Sequence, residues 1–357
     1  MNSKDAVLAA AILAIGGVDA YMAYKYSKVP SAATTIIYTP ITLHNAQSQS
    51  TPSNFQQLIQ ATTIQYPNGV RFWSPTDGYL PAWLESISSS NSANIWVKIP
   101  SSIPANGTYQ LYMIQDSTIP MDGVYWGEAP QLSSTYAQYD NGANVFPYYQ
   151  RWGGLSSLPS GWSSISGTVL TFADTYTEVQ PSPTVNGWYG IYLNPLPQSF
   201  LAPTVWTLYG NLYSVKYAIG LLVGTATGYN NNGGYVIDDV SSSGLPPPEI
   251  YFFNPPNFIA TGYTDSNNNK LYSMQLNSPT SVQIFVNYSQ IYSNPSAVSQ
   301  NVSYFVIAPT NSSNYGPTGP AYIYWLRTTA YPPNGVMPSA YFGASQYSGE
   351  LITVTVP

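Results

Sequence analysis

The stretch TTIIYTPITLHN, residues 34–45, is β-branched or aromatic at most positions, with one proline near its centre. Such residues are stiff at χ1 and pack well on a pleated surface, so the run reads as a strand. The same reading holds for NIWVKIP (94–100), GTYQLYMIQ (107–115), WYGIYLN (188–194), VWTLYGNLY (205–213), YAIGLLVG (217–224), SVQIFVNY (281–288), YFVIA (304–308) and ELITVTV (350–356). Turn formers separate these runs, as in YPNG, PANG and NNNGG. Many short strands without helical interruption predict an all-β chain of antiparallel sandwiches. Within it, YTDSNNNKLYSMQL (263–276) is expected to be a hairpin with a polar tip.

Upstream of Pro30 the pattern is different. From Ala6 to Tyr24 the chain is apolar for 19 residues, which as a helix reaches about 28 Å, close to the ~30 Å of a bilayer core. Asp19 lies near the C-terminal end of this stretch, followed by Tyr21, Tyr24, Lys25, Tyr26 and Lys28, an aromatic and basic belt suited to a membrane interface. Ala6, Ala10, Ala14 and Gly17 form a stripe of small residues on which helices can pack. A membrane anchor is the favoured reading. A cleaved signal peptide, with small residues at Val18-Asp19-Ala20, and a buried core helix are the alternatives.

Composition narrows the function classes. The 357 residues are 44% hydrophobic and only 7% charged, with 33 tyrosines. A typical globular chain is about 25% charged, so neutral polar groups must cover this surface. Lys and Arg number 9 against 15 Asp and Glu, which leaves no basic patch for a run of phosphates and excludes nucleic acid as a partner. His44 is the single histidine, and cysteine is absent. Histidine-based catalysis, clustered histidine or thiolate metal ligands and disulfides are therefore out of reach. No cofactor is expected.

WGEAPQLSSTYAQYDNGANVF (126–146) is turn-rich and separates a first strand group from a longer second one. The expected organisation is a tether over residues 1–30, a first sandwich over 31–130 and a second over 131–357. RFWSPTDGYLPAWLES (71–86), with its P-x-W-L-E segment, precedes the W-V-K-I-P strand at 95–100. Together with WGEAP and YDNGANVFPYY, it resembles an extracellular family of unknown function from archaeal and bacterial surface proteins. That resemblance implies a following concanavalin A-like jelly roll, to which GWYGIYLNP and YIYWLRTTAYPPNGVMPSAYFG (322–343) are similar. It further implies a cell-surface or virion protein of thermophilic archaea or their viruses, and it brings no catalytic residues.

Several residues are candidates for chemistry. Glu85 and Glu128 each lie in a motif containing a tryptophan, but jelly-roll glycosidases that draw both carboxylates from one strand do so in an alternating E-x-D-x-x-E arrangement, which is absent here. The two glutamates are expected to hydrogen-bond loop backbone, and the chain is expected not to be an enzyme. DSNNNK from Asp265 imitates a calcium loop, yet Lys270 stands where glycine is required and Leu276 where glutamate is. Asp238-Asp239 fits a strand end as well as a lectin-type site, so no metal is expected. Asn106, Asn287, Asn301 and Asn311 match the N-x-[ST] glycosylation pattern. Trp188, Tyr189, Trp206 and Tyr209 make either core packing, the favoured reading, or an aromatic platform for sugars.

These readings converge on a membrane-anchored, extracellular β protein that displays two lectin-like sandwiches and contacts glycans, partnered by further copies of itself as a homo-oligomer or by other surface or virion proteins. An assembly subunit of a filament or capsid turret is the alternative, and a secreted polysaccharide hydrolase the third. A chain with so few carboxylates has few native ion pairs to lose in acid. Thermal melts recorded from pH 7 to pH 3 are expected to show a nearly constant Tm; a steep fall across that range would refute the low-charge argument.

Overall fold

The computed structural model describes residues 36–181, 189–213, 219–223, 234–240, 249–254, 257–278, 281–294, 302–307 and 319–347. The expected anchor and the run ELITVTV lie outside the described residues. Among the described residues no helix is long and apolar enough to cross a membrane. The described chain is almost entirely strand, arranged in two compact units.

Unit 1 comprises residues 1–145 and 336–357. One sheet joins β1 (Ile36–His44), β3 (Val70–Ser74), β4 (Gly78–Leu80), β7 (Thr108–Asp116), β24 (Ser339–Phe342) and β25 (Gln346–Tyr347), in the order β24-β1-β7-β3-β4 with β25 also on β1. The other runs β2-β6-β5-β8, from β2 (Phe55–Ala61), β5 (Ala82–Ile87), β6 (Ala93–Ile99) and β8 (Trp126–Glu128). Alternation does what the sequence pattern requires. Ile41, Leu43, Phe72 and Leu111 of the first sheet meet Ile59, Leu84, Ile95 and Val97 of the second in one dry core. All pairings are antiparallel except β5 with β8, which is parallel.

Pro40 explains why the edge of the first sheet is made of two pieces. Its carbonyl accepts the Gly343 N–H at 2.8 Å, and a Cβ on Gly343 would lie 2.7 Å from its ring. The returning chain therefore pairs with β1 on either side of this point, at Ile41–His44 through β24 and at Ile37–Tyr38 through β25.

Unit 2, residues 146–335, is a larger antiparallel sandwich. Its first sheet has the order β10-β13-β22-β15-β16-β17-β18, from β10 (Trp162–Ser164), β13 (Ile191–Leu193), β15 (Ile219–Val223), β16 (Gly234–Val240), β17 (Glu249–Asn254), β18 (Asn257–Thr264) and β22 (Val302–Ile307). The second has the order β11-β12-β23-β14-β19-β20-β21, from β11 (Thr168–Phe172), β12 (Thr177–Pro181), β14 (Thr204–Asn211), β19 (Lys270–Ser278), β20 (Ser281–Val286), β21 (Ser289–Asn294) and β23 (Ala321–Ala330). β9 (Tyr148–Arg151) also pairs with β23. Trp206, Leu208, Tyr272, Met274, Ile284 and Ile323 from the second sheet pack against Trp162, Ile191, Ile219, Ile250, Phe252 and Phe305 from the first. The β20–β21 hairpin turns at Asn287 and Tyr288, both with positive φ, as a tight type I′ turn demands.

Two expectations are corrected. The division expected at 31–130 and 131–357 gives way to one at Val145–Phe146, and unit 2 is an insertion in unit 1, because β24 and β25 close the β1 edge. Residues 263–276 are not a hairpin: β18 belongs to one sheet and β19 to the other, so the polar stretch between them is a crossover. Its sequence has the polarity of a hairpin tip, and only the cross-strand partners tell the two apart.

Glycine 127 marks a tight approach in unit 1. A Cβ there would fall 2.2 Å from Asn141 Oδ1 and 2.3 Å from the Tyr139 carbonyl. Backbone and a side-chain amide with its own bonds cannot retreat cheaply, so Gly127→Ala is expected to cost about 3 kcal/mol, the upper range for overpacking, read as a lower midpoint in urea unfolding.

Candidate functional site

The motif segments of unit 1 meet on one face of β2-β6-β5-β8, the face turned away from the core. Trp83 and Trp96 stand opposite each other on β5 and β6. The Trp96 indole donates to Glu85 Oε2 at 3.0 Å and the Trp83 indole to Asp140 Oδ1 at 3.2 Å. Segment 139–144 crosses this face over Gly127, which has no side chain to obstruct it. There Asn141 donates to the Ala82 and Val124 carbonyls, and Lys98 donates to the Asn144 carbonyl. Glu85 and Trp96 are buried. P-x-W-L-E, W-V-K-I-P and Y-D-N-G are thus three parts of one fastening.

A second fastening lies at Arg71, the first residue of the motif stretch 71–86. Arg71 donates to the Pro120 carbonyl and to Asp122 Oδ2 at 3.0 Å, while Asp122 Oδ1 accepts the N–H groups of Val124, Tyr125 and Trp126. Burial pushes the Asp122 carboxyl up, but the Trp126 and Val124 N–H groups, the Arg71 charge and the Tyr125 N–H outweigh it and hold it below the usual carboxylate range. Glu128 is shifted the other way: burial raises it, and the Ser133 hydroxyl only partly offsets that. The signs oppose. Asp122 stabilises above its unfolded pKa and loses that contribution as pH falls through its depressed folded value, whereas Glu128 is relieved as pH falls through its raised one.

In unit 2 the crossover after β18 carries a buried cluster. Lys270 pairs with Asp265 and also donates to the Ser266 carbonyl, and the Tyr272 hydroxyl donates to Asp265 Oδ2 at 3.0 Å. Both charged residues are 3% exposed. The ammonium occupies the carboxylate that a bound cation would need, which accounts for the failed calcium-loop pattern. Among the described residues no group of three or more His, Asp or Glu is placed to hold a metal.

The outward face of the second sheet of unit 2 is lined with aromatic rings. Tyr322 meets Tyr176 at 5.4 Å between centroids, Tyr176 meets Tyr324 at 5.7 Å, Tyr324 meets Tyr209 at 5.4 Å, and Tyr209 stacks on Trp325 at 5.4 Å and 24°. A bulge creates this row. Tyr209 pairs with Trp325 and Gly210 with Ile323, so Tyr324 is the extra residue and turns outward beside Trp325. Gly210 is required there, since a Cβ would lie 2.5 Å from the Tyr322 carbonyl. Glu178 and Asn211 flank Tyr322 on the neighbouring strands, and Arg151 stands opposite Trp325. Burial, then the Glu178 charge and the adjoining tyrosines, raise the Tyr322 hydroxyl above its ordinary value. At Trp325 the row closes over: Trp325 is fully buried, and so is the Arg327 guanidinium, 4.7 Å above Phe146 and 5.3 Å from Trp325.

The expected site residues fall in different places. Of the four aromatic candidates, Trp206 is fully buried in the core and Tyr189 is 2% exposed, its ring filling the space above Gly167. Tyr209 belongs to the outward row, and Trp188 lies outside the described residues. The row itself is legible only in retrospect, from the lone glycine within VWTLYGNLY and the adjacent aromatics of YIYW. Asn106 is exposed in the PANG turn. Asn287 is exposed too, with its Oδ1 accepting the Leu271 N–H. Asn301 and Asn311 lie outside the described residues, and so do the side chains of Asp238 and Asp239.

Residues 66–123 match a family described as a domain of unknown function, DUF2341. The chain is 37% identical over 134 residues to Uncharacterized protein 562 of Sulfolobus islandicus rod-shaped virus 1, which is 35% of this chain and 23% of that protein. It thus spans about a quarter of that relative's length. Solved structures similar to it include the Bacillus licheniformis β-glucanase, at 11% identity and a TM-score of 0.37 over 51% of this chain and 97% of that one. Another is a Clostridium perfringens endo-β-galactosidase that releases GlcNAcα1-4Gal, at 9% identity and a TM-score of 0.37 over 54% and 64%. The expectation that the chain is not an enzyme is corrected on this finding, since the similar structures are glycoside hydrolases.

The Asp122 turn supplies a direct test of the electrostatics. Asp122→Asn keeps the shape but removes the charge. It is expected to lower stability at pH 7 by at most about 1 kcal/mol, because the amide oxygen can still accept the turn N–H groups and the charge is largely exposed. Below pH 4 the difference from the wild type should shrink, because the native carboxylate is itself being protonated. Urea midpoints at pH 7 and pH 3 measure both effects.

Proposed function

We propose that this chain is a surface protein of an archaeal virus or its host, displayed to contact glycans, with the aromatic row of unit 2 as the contact face. One observation carries the reading: four half-exposed tyrosines, Tyr322, Tyr176, Tyr324 and Tyr209, form a continuous line on an outward sheet face, with the buried Trp325 stacked against the last of them. A tyrosine ring offers an apolar face to the C–H side of a sugar and a hydroxyl to its polar rim. The relative in a rod-shaped virus supports the virion setting. The apolar stretch 6–24 is assigned the role of tether, and display of many copies lets weak single contacts add up by avidity.

Two features of unit 1 are consistent with this division of labour. Its motif residues are engaged with one another in the Trp83–Asp140 and Trp96–Glu85 bonds, which gives them a structural role. Its carboxylates at Asp77, Glu85 and Asp122 each hold a turn or a strand in place.

Tyr324→Ala removes the central ring of the row without opening the core, since the residue is the bulged position and faces outward. Glycan binding by the variant is expected to fall about tenfold or more, in line with a central aromatic contact worth at least 1.4 kcal/mol. Its Tm should stay within a few degrees of the wild type. Undiminished binding measured by glycan array and calorimetry would move the contact elsewhere.

A further inference from the structure

We propose that the ligand of the aromatic row is a linear, uncharged glycan, held along several consecutive sugar units rather than by its terminal sugar. This rests on the reading of the row as a glycan-contact face.

Shape is the first reason. The rings extend from Tyr322, opposite Glu178 of β12, across β23 to Tyr209 on β14, each in contact with the next at 5.4 to 5.7 Å. Neighbouring strands lie about 4.8 Å apart, so the row is longer than one sugar ring. Recognition of a chain end calls for a concave pocket in which polar groups converge. Here the polar groups are instead strung along the row, with Asn211 beside Tyr322 and tyrosine hydroxyls at successive positions. Such an array suits a repeating ligand, because each added sugar meets another ring.

Charge is the second reason. Among the described residues, Glu178 stands opposite Tyr322 at one end of the half-exposed tyrosines, and Arg151 stands opposite the buried Trp325 at the other. The Arg327 guanidinium is enclosed between Phe146 and Trp325 and is buried, so it is not offered to a ligand. A sulfate or uronate repeated on every sugar would bring a negative group against Glu178 wherever the chain lay, within a protein whose net charge is already −6. Like-charge juxtaposition of this kind excludes wrong partners more effectively than any attraction selects right ones. Neutral hexoses and N-acetylhexosamines carry no such penalty.

The test is an array bearing neutral linear chains of hexose and of N-acetylhexosamine, graded from single sugars to hexamers, beside their sulfated counterparts. It is probed with the full chain and with Glu178→Gln. The wild type is expected to bind tetramers about tenfold better than single sugars, as multivalent contact along one chain requires. Sulfated chains should bind roughly tenfold more weakly than neutral chains of equal length, and Glu178→Gln should close most of that gap. Equal binding of single sugars and hexamers, or tighter binding of the sulfated series, overturns this inference while leaving a glycan-contact face in place. Binding to nothing on the array removes the glycan reading and this inference with it.

Discussion

The buried bond from the Trp96 indole to Glu85 illustrates the constraint on which the rest depends: this protein has few charges, and the carboxylates that hold its fold are each met by hydrogen-bond donors. A carboxylate in the interior is tolerated only when hydrogen-bond donors satisfy it. Here the donors are indoles, hydroxyls and turn N–H groups. Glu85 takes Trp96, Asp140 takes Trp83, Asp77 takes Ser101 and Tyr109, Asp122 takes three backbone N–H groups, and Asp265 takes Lys270 and Tyr272. Each of these bonds ties a loop to a strand or one strand to the next. Without cysteine, such points do for the loops what disulfides do elsewhere in secreted folds. The remaining polar residues are mostly tyrosine, serine, threonine and asparagine.

Strand identity was legible from the sequence, because alternation is a local property and the pleat imposes it residue by residue. The runs at 36–44, 94–99, 204–211 and 281–286 are strands where the pattern placed them. Connectivity was not legible. That Ser339–Phe342 returns to pair with Ile41–His44 is decided by an open edge some three hundred residues upstream, and nothing in SAYF records it. The stretch 263–276 failed for a related reason. Polar residues between two strands fit a hairpin tip and a crossover equally well, and the choice is made by Tyr272 and Lys270 turning inward to Asp265.

The aromatic candidates separate along the same line. Trp206 and Tyr209 are three residues apart on one strand, so in a regular strand they point to opposite faces. One therefore fills the core and the other joins the outward row. The partners of Tyr209 come from YIYW, where strict alternation would have turned Tyr324 and Trp325 to different faces. The bulge opposite Gly210 lets both turn outward. A glycine that allows two backbones to approach closely is what assembles the row, and its role appears only once the register is known.

The resemblance carried by P-x-W-L-E and W-V-K-I-P can now be given a physical meaning. Those residues are engaged with one another: Trp83 with Asp140, Glu85 with Trp96, Gly127 beneath Asn141. Motifs of this kind recur because the fastening needs an indole, a carboxylate and a bare glycine at fixed positions, whatever the domain does. Likeness in unit 1 therefore speaks to architecture. Among the described residues of unit 2, Tyr176, Tyr209, Tyr322 and Tyr324 are the half-exposed rings that the outward sheet face presents. A row of rings built by a bulge lies on the outward face, so its members can be exchanged with little cost to the sandwich beneath.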